Sequence, residues 1–164
     1  MLTTTTFTSP LGIILLQADA QALLSARLRP AGNYMPPIPE TAELSDVQTE
    51  AVRWLTAYFA HQPLPPMPPL QPGGTAYEQR VWTALRTIPY GQTLTYGELS
   101  RRLIPASSPR AVGQAVGRNP LFLFIPCHRV VAAHHLGGFA YGQAAKQWLL
   151  DWEQDLQKQL RGVL

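Results

Sequence analysis

The sequence predicts an α+β protein: a small N-terminal α/β domain, an antiparallel meander plus one helix, followed by a mostly helical domain with a helix-turn-helix. Three observations carry that expectation. Short β-branched and aliphatic runs separated by turn residues fill residues 3–28, helical periodicity governs most of the chain after Thr75, and a proline-rich stretch lies between. At 164 residues the chain suits one ordinary domain or two small ones, and a 46% hydrophobic content supports a packed core.

Thr3–Thr8 is β-branched, Ser9-Pro10-Leu11-Gly12 reads as a turn, Ile13–Leu16 as a buried strand and Ala22–Leu28 as a third strand. Arg29–Glu40, with four prolines, reads as an irregular loop. Leu44, Val47, Ala51, Trp54 or Leu55, and Tyr58 or Phe59 then recur at helical spacing, behind Thr41, Ser45 and Asp46 as candidate caps. His61–Pro72 holds six of the sixteen prolines and reads as a semi-rigid, extended linker. The expected domains are therefore 1–61 and 75–164, joined by a linker over 62–74.

The second domain opens on a capping box, Thr75-Ala-Tyr-Glu78, and continues with Tyr77, Val81, Leu85 and Ile88 on one face. Pro89-Tyr90-Gly91 breaks the chain, and a second box, Thr95-Tyr-Gly-Glu98, starts a shorter helix with Leu99 and Leu103 inward. Ser108 is the expected N-cap of a third helix, with Pro109 at its permitted first position, so that two helices and a turn make the helix-turn-helix. That third helix is rich in small residues: Gly113 with Gly117, and Ala111 with Ala115, each lie four apart. Such faces suit either close packing inside the protein or approach to a nucleic-acid backbone. Finally Ala145, Trp148, Leu149, Trp152, Leu156 and Leu160 form an amphipathic stripe, with Glu153 at its edge pointing partly inward and needing a partner.

Charge and cysteine content narrow the function classes. The net charge is +3, but up to Gly74 three arginines face five carboxylates, while the remainder carries ten basic residues against five acidic ones. A basic, arginine-rich C-terminal half suits phosphate contacts and is also common on ordinary surfaces. One cysteine cannot form an internal disulfide, and with four scattered histidines no spacing matches a structural zinc site, so neither metal nor cofactor is expected. There is no N-terminal basic-then-apolar segment and no run long enough to cross a bilayer, so a cytoplasmic protein with no membrane partner is expected.

The chemistry is concentrated in Asn119-Pro-Leu-Phe-Leu-Phe-Ile-Pro-Cys-His-Arg-Val-Val131. Leu121–Ile125 reads as a buried strand-like segment or the floor of a pocket, and Pro126 ends any ladder and turns the chain, presenting Cys127 at the rim of the core. Cys127 is the only cysteine, and His128 and Arg129 follow it. A neighbouring imidazole or guanidinium is what a thiol needs to become a thiolate; a small buried hydrophobe is the plainer alternative. Cys127, His128 and Glu153 together supply the Cys-His-carboxylate set that activates a thiol.

Pro126-Cys-His-Arg-Val130, preceded by Asn119-Pro120 and the apolar run, resembles the active-site signature of the O6-alkylguanine-DNA alkyltransferases, a family of methylated-DNA-protein-cysteine methyltransferases. The similarity is strong from Ala76 to Glu153 and weak before it. It implies that a water links His128 to Cys127 and that Glu153 holds His128. Ile88-Pro-Tyr-Gly-Gln-Thr-Leu-Thr-Tyr96 looks like the segment whose last residue, Tyr96, donates a hydrogen bond to the flipped guanine. Pro109-Arg-Ala-Val-Gly-Gln-Ala-Val-Gly-Arg-Asn-Pro120 looks like the recognition helix. On that match Arg110 fills the gap left by the extruded base, the face of Ala111, Gly113, Gln114 and Gly117 meets the minor groove of double-stranded DNA, and Asn119 braces the cysteine turn.

The same resemblance implies a winged-helix-like C-terminal domain, a monomer acting once per molecule, and a substrate pocket including Pro126, Val130, Ala140 and Tyr141. Ala140 and Tyr141 stand where many members carry a serine and a glycine, so Tyr141 is expected to narrow the pocket against bulky alkyl groups. Lys146 matches a family lysine, with a solvated helix charge as its plainer role; His134 and His135 read as exposed loop residues. Three other readings compete: a base-flipping damage sensor without chemistry, a Cys-His-Glu hydrolase, and a helix-turn-helix regulator with an incidental cysteine. The presence of Cys127 weighs against the sensor. A recognition face of Ala and Gly weighs against a regulator that reads bases through polar side chains.

Overall fold

The first three strands form because short apolar alternations meet turns whose side chains hold them. In the computed structural model, which describes residues 2–30 and 43–162 without the side chains of 30 and 156–162, β1 (Thr3–Ser9), β2 (Gly12–Ala18) and β3 (Leu23–Pro30) make an antiparallel meander in the order β1-β2-β3. Ser9 Oγ donates to Gly12 O at 2.7 Å across the first turn, where Gly12 takes a φ of 133°, and Asp19 Oδ1 accepts from Gln21 N and Ala22 N, both at 2.8 Å, in the second. Ile14, Leu16 and Ala18 turn one face of β2 into the core. Against it pack Val47, Ala51, Trp54, Leu55 and Tyr58 of α1 (Asp46–Phe59), a helix started by a capping box between Ser45 and Gln48. The loop expected over Arg29–Glu40, beyond residue 30, and Thr41 as a cap, lie outside the described residues.

The chain divides into two compact units, residues 1–73 with 120–124, and residues 74–119 with 125–164. This departs from the expected boundaries in two places. The proline-rich stretch belongs to the first unit: Leu23 N donates to Pro69 O at 2.8 Å and Gln71 N to Leu23 O at 2.9 Å, so Leu70 bridges β3 in parallel. Prolines lack a donor but retain their carbonyl, and Gln71 supplies the missing N–H. The second departure is the apolar run before Cys127. Ala26 N donates to Pro120 O and Phe122 N to Ala26 O, both at 2.9 Å, while the Phe124 ring lies 5.0 Å from Trp54. The pairing stops after Phe122 because Leu123 adopts a φ of 73°, a left-handed conformation costly for a non-glycine residue.

The second unit contains α2 (Ala76–Leu85), α3 (Tyr96–Arg102), α4 (Pro109–Gly117) and α5 (Gln143–Gly162). Thr75 and Thr95 close capping boxes with Glu78 and Glu98, and Ser108 Oγ accepts from Ala111 N at 3.1 Å with Pro109 at the start of α4. Trp82 Nε1 donates to Ala115 O at 2.8 Å, tying α2 to α4 by a buried bond. A two-residue parallel pair, β4 (Leu94–Thr95) with β5 (Val130–Val131), fastens the start of α3 to the chain leaving the cysteine turn. No helix among the described residues is long and apolar enough to cross a membrane.

Candidate active site

Pro126 ends the apolar run and Cys127–Arg129 forms one turn of 3₁₀-helix, with Cys127 N bonded to Ile125 O at 2.8 Å and Arg129 N to Pro126 O at 3.1 Å. Adjacent side chains therefore diverge. Cys127 borders a cavity of about 200 Å³, whereas His128, with none of its surface exposed, reaches α5. The thiol is more enclosed than its expected place at the core rim, at 6% exposure.

Glu153 is the hub of the inner network. Its Oε2 lies 2.6 Å from His128 Nε2 and accepts from Arg129 Nη2 at 3.1 Å; its Oε1 accepts from Arg129 Nε at 2.8 Å and from Gly91 N at 3.0 Å. Arg129 Nη1 also donates to Ile88 O at 2.8 Å, and the guanidinium sits 5.6 Å from the Tyr90 ring centre. Four donors on one buried carboxylate, with His128 and Arg129 at its side, hold Glu153 well below the usual carboxylate range despite its burial. Burial pushes His128 below its ordinary 6.5, with Arg129 and Lys146 adding to the shift and Glu153 opposing it. Nδ1 of His128 is buried and has no hydrogen-bond partner among the described residues.

These shifts set a sign for acid stability. Both His128 and Glu153 bind protons less readily folded than unfolded, so the unfolded chain gains the proton first as pH falls, and acid favours unfolding. The unfolding free energy is expected to decline below about pH 6.5 through His128 and further below about pH 4.5 through Glu153. Urea midpoints taken from pH 8 to pH 4 check this; a midpoint that rose toward acid would contradict the assignment.

Around the sulfur, Asn119 hydrogen-bonds the thiol and donates from Nδ2 to the Ile125 carbonyl at 2.7 Å, spanning the turn. Burial pushes the Cys127 thiol up, and Asn119 and the positive charge of Lys146 act against it. Lys146 is not a solvated helix charge. It is fully buried, donates to Val130 O at 2.6 Å and Gly138 O at 3.0 Å, lies 5.8 Å from the Tyr96 ring centre, and is pulled down to about 8 by burial. It therefore stays mostly charged at neutral pH. Burial and the neighbouring cysteine raise Tyr96, so its hydroxyl remains a donor. Gly137, at a φ of 81°, is required beside that ring: an added Cβ would come within 3.1 Å of Tyr96 Cε2 and 3.2 Å of Ala132 N.

Residues 76–155 match the family model described as 6-O-methylguanine DNA methyltransferase, DNA binding domain. The methylated-DNA-protein-cysteine methyltransferase of Methanosarcina acetivorans is 40% identical over 149 residues, which covers 90% of this chain and 95% of that protein. The chain belongs to the O6-methylguanine DNA methyltransferase family. A crystal structure of the Mycobacterium tuberculosis O6-methylguanine methyltransferase superposes with a TM-score of 0.81 at 36% identity, covering 94% of each chain. Another, of the M. tuberculosis protein OGT in complex with DNA, gives 0.78 at 34% identity and 92% of each chain.

Measured against the residues that the methyltransferase resemblance implied, the cavity differs in part. Tyr96, Gly113, Gly117, Asn119, Cys127, Ala140 and Tyr141 line it. Pro126 and Val130 do not: both are buried, and Val130 serves the site through its carbonyl, which holds Lys146. Val116, Gly138 and Phe139 line it instead. On α4, Arg110, Gln114 and Gly117 are exposed and Ala111 is half-buried, whereas Ala115 is buried under Trp82. A Cβ on Gly117 would meet nothing within 4 Å and one on Gly113 only the Tyr96 ring at 3.7 Å, so close packing within the described residues does not account for Gly117. His134 and His135 are exposed.

Tyr141 sits edge-on to Phe139, ring centres 5.7 Å apart, at the cavity wall. Replacing it by glycine is expected to raise the rate with O6-benzylguanine about tenfold relative to the rate with O6-methylguanine, in line with the worth of one bulky pocket contact. Single-turnover rates with both bases measure that ratio. An unchanged ratio would remove Tyr141 as a size filter.

Proposed function

We propose that this protein repairs alkylated guanine in DNA by moving the alkyl group from O6 onto Cys127, once per molecule. The observation that carries the reading is the placement of the single thiol: Cys127 borders the cavity beside Asn119 and Tyr96, with the His128–Glu153 pair behind it. A stacked base cannot be attacked, so the guanine leaves the duplex for the cavity. Helix α4 lies in the minor groove with its exposed small face against the backbone, and Arg110 takes the vacated place in the stack.

His128, through the bridging water that the family resemblance implies, takes the thiol proton, and Glu153 stabilises the imidazolium. The thiolate, favoured by Lys146 and the Asn119 hydrogen bond, attacks the alkyl carbon in line. The S–C bond forms as the C–O bond breaks, and the electron pair goes to the guanine, whose developing charge Tyr96 meets with its hydroxyl. The thioether is stable, so the protein is spent. It acts as a cytoplasmic monomer, without metal or cofactor.

The test is to mix the protein with excess duplex containing O6-methylguanine and weigh the peptide that carries Cys127. A methyl adduct saturating at one per chain is expected. Tight binding without an adduct would leave only a damage sensor, and turnover beyond one equivalent would favour a hydrolase.

A further inference from the structure

Arg80 and Arg102, two positive side chains that the active site does not use, face one groove. Among the described residues, an open groove of about 660 Å³ runs between α2 and the end of α3; Gln79, Arg80, Thr83 and Thr87 line one side, Arg102 and Ile104 the other. No carboxylate lines it. Arg80 is held in place: Nη1 donates to Ile104 O at 2.8 Å and the guanidinium lies 5.5 Å from the Tyr77 ring centre, while Tyr77 Oη is 2.7 Å from Ser107 Oγ. Its remaining donors, and all those of Arg102, have no acceptor among the described residues. Ile104 is 91% exposed, the most exposed large apolar side chain described.

We propose that this groove holds a stretch of DNA backbone, with Arg80 and Arg102 each on a phosphate and Ile104 against the sugar between them. Two guanidiniums in a groove without a carboxylate suit phosphate oxygens, and the Arg80 fork, already held by Ile104 O, loses little freedom on binding. Thr83 and Thr87, whose hydroxyls donate to Gln79 O at 2.8 Å and Ala84 O at 2.6 Å, shape the groove wall. The far side of the groove also leads along the chain into the proposed minor-groove element, since Ser108, the N-cap of α4, comes four residues after Ile104. It thus lengthens the contact from one helix to a track along the backbone and fixes the register of the duplex over the cavity. The inference rests on the DNA-repair reading above.

The experiment follows the affinity of the full chain for a labelled duplex, with and without O6-methylguanine, as salt is raised. Each phosphate contact contributes about 0.9 to the slope of log affinity against log salt. Arg102→Gln is expected to reduce the slope by about 0.9 and the double variant Arg80→Gln/Arg102→Gln by about 1.8, equally on damaged and undamaged duplex, with Arg102→Lys retaining most of it. Arg86→Gln, the same charge change on the exposed residue that caps the end of α2 outside the groove, controls for net charge. A wild-type affinity independent of salt would overturn the DNA reading itself. A wild-type slope that the groove variants leave intact, or that Arg86→Gln lowers as much, would overturn the groove alone. Thermal midpoints of all variants within a degree or two of wild type attribute the slope to contacts; a loss of fold in Arg80→Gln, which anchors the turn, leaves Arg102→Gln to decide.

Discussion

Cys127→Ser is expected to bind a duplex carrying O6-methylguanine as tightly as the unaltered protein does and to take up no detectable alkyl group. The substitution keeps shape and leaves α4 and its exposed face untouched, so the DNA contacts survive. What it removes is acidity. A thiol in this setting is already pushed up by burial and needs Asn119, Lys146 and the His128 relay to ionise; a hydroxyl starts several pKa units higher and is a far weaker nucleophile. The buried hydroxyl still finds the Asn119 amide, so the cost in stability is about 1 kcal/mol. Gel shift against lesion-bearing duplex, together with the mass of the reacted chain, reads both halves. An adduct of full size on the serine variant would show that Cys127 is not the acceptor.

How much of this was legible in the sequence depended on whether the deciding contacts were local. The starts of α2, α3 and α4 are written in Thr75–Glu78, Thr95–Glu98 and Ser108–Pro109, because a cap is a bond between residues three apart. The pairing of His128 with Glu153 was readable from chemistry and resemblance. The inner face of α5 was legible in part. Hydrophobicity pointed to Ala145, Trp148, Leu149 and Trp152, yet the tryptophans are only half-buried and stack on each other, 5.0 Å apart, while the fully inward line is Lys146, Leu149 and Glu153. Leu149 and, in part, Glu153 were read from the stripe and its edge, but an apolar periodicity could not report a charged residue such as Lys146, and both charged residues lie inside. Their burial is tolerable only because the chain brings carbonyls to Lys146 and four donors to Glu153. Arg129 was named only as a neighbour of the thiol. Its real partner lies on α5, 24 residues away, and no local pattern marks that. Residues 120–124 joined the first unit for the same reason: their partner is Ala26.

Glu153→Gln tests that hub most directly. The amide has the shape of the carboxylate, but one of its two heads becomes a donor. Oε1 now accepts from Arg129 and Gly91, and Oε2 from His128 and Arg129, so either orientation of the amide sets N–H against N–H and leaves the buried guanidinium without its counter-charge. Breaking one side of a buried pair in this way is expected to cost about 3–5 kcal/mol of stability, read as a lowered urea midpoint. Alkyl transfer should slow as well, by about a hundredfold at pH 7, because His128 loses the group that orients it and stabilises its charged form. The two effects separate by pH. If Glu153 acts through the proton relay, the deficit shrinks as alkali ionises Cys127 without help, so the ratio of wild-type to variant single-turnover rates falls from pH 7 to pH 9. A rate deficit that stayed constant over that range would make Glu153 a structural anchor for the turn and nothing more. A variant that lost stability but transferred methyl at the wild-type rate would sever the hub from the chemistry altogether.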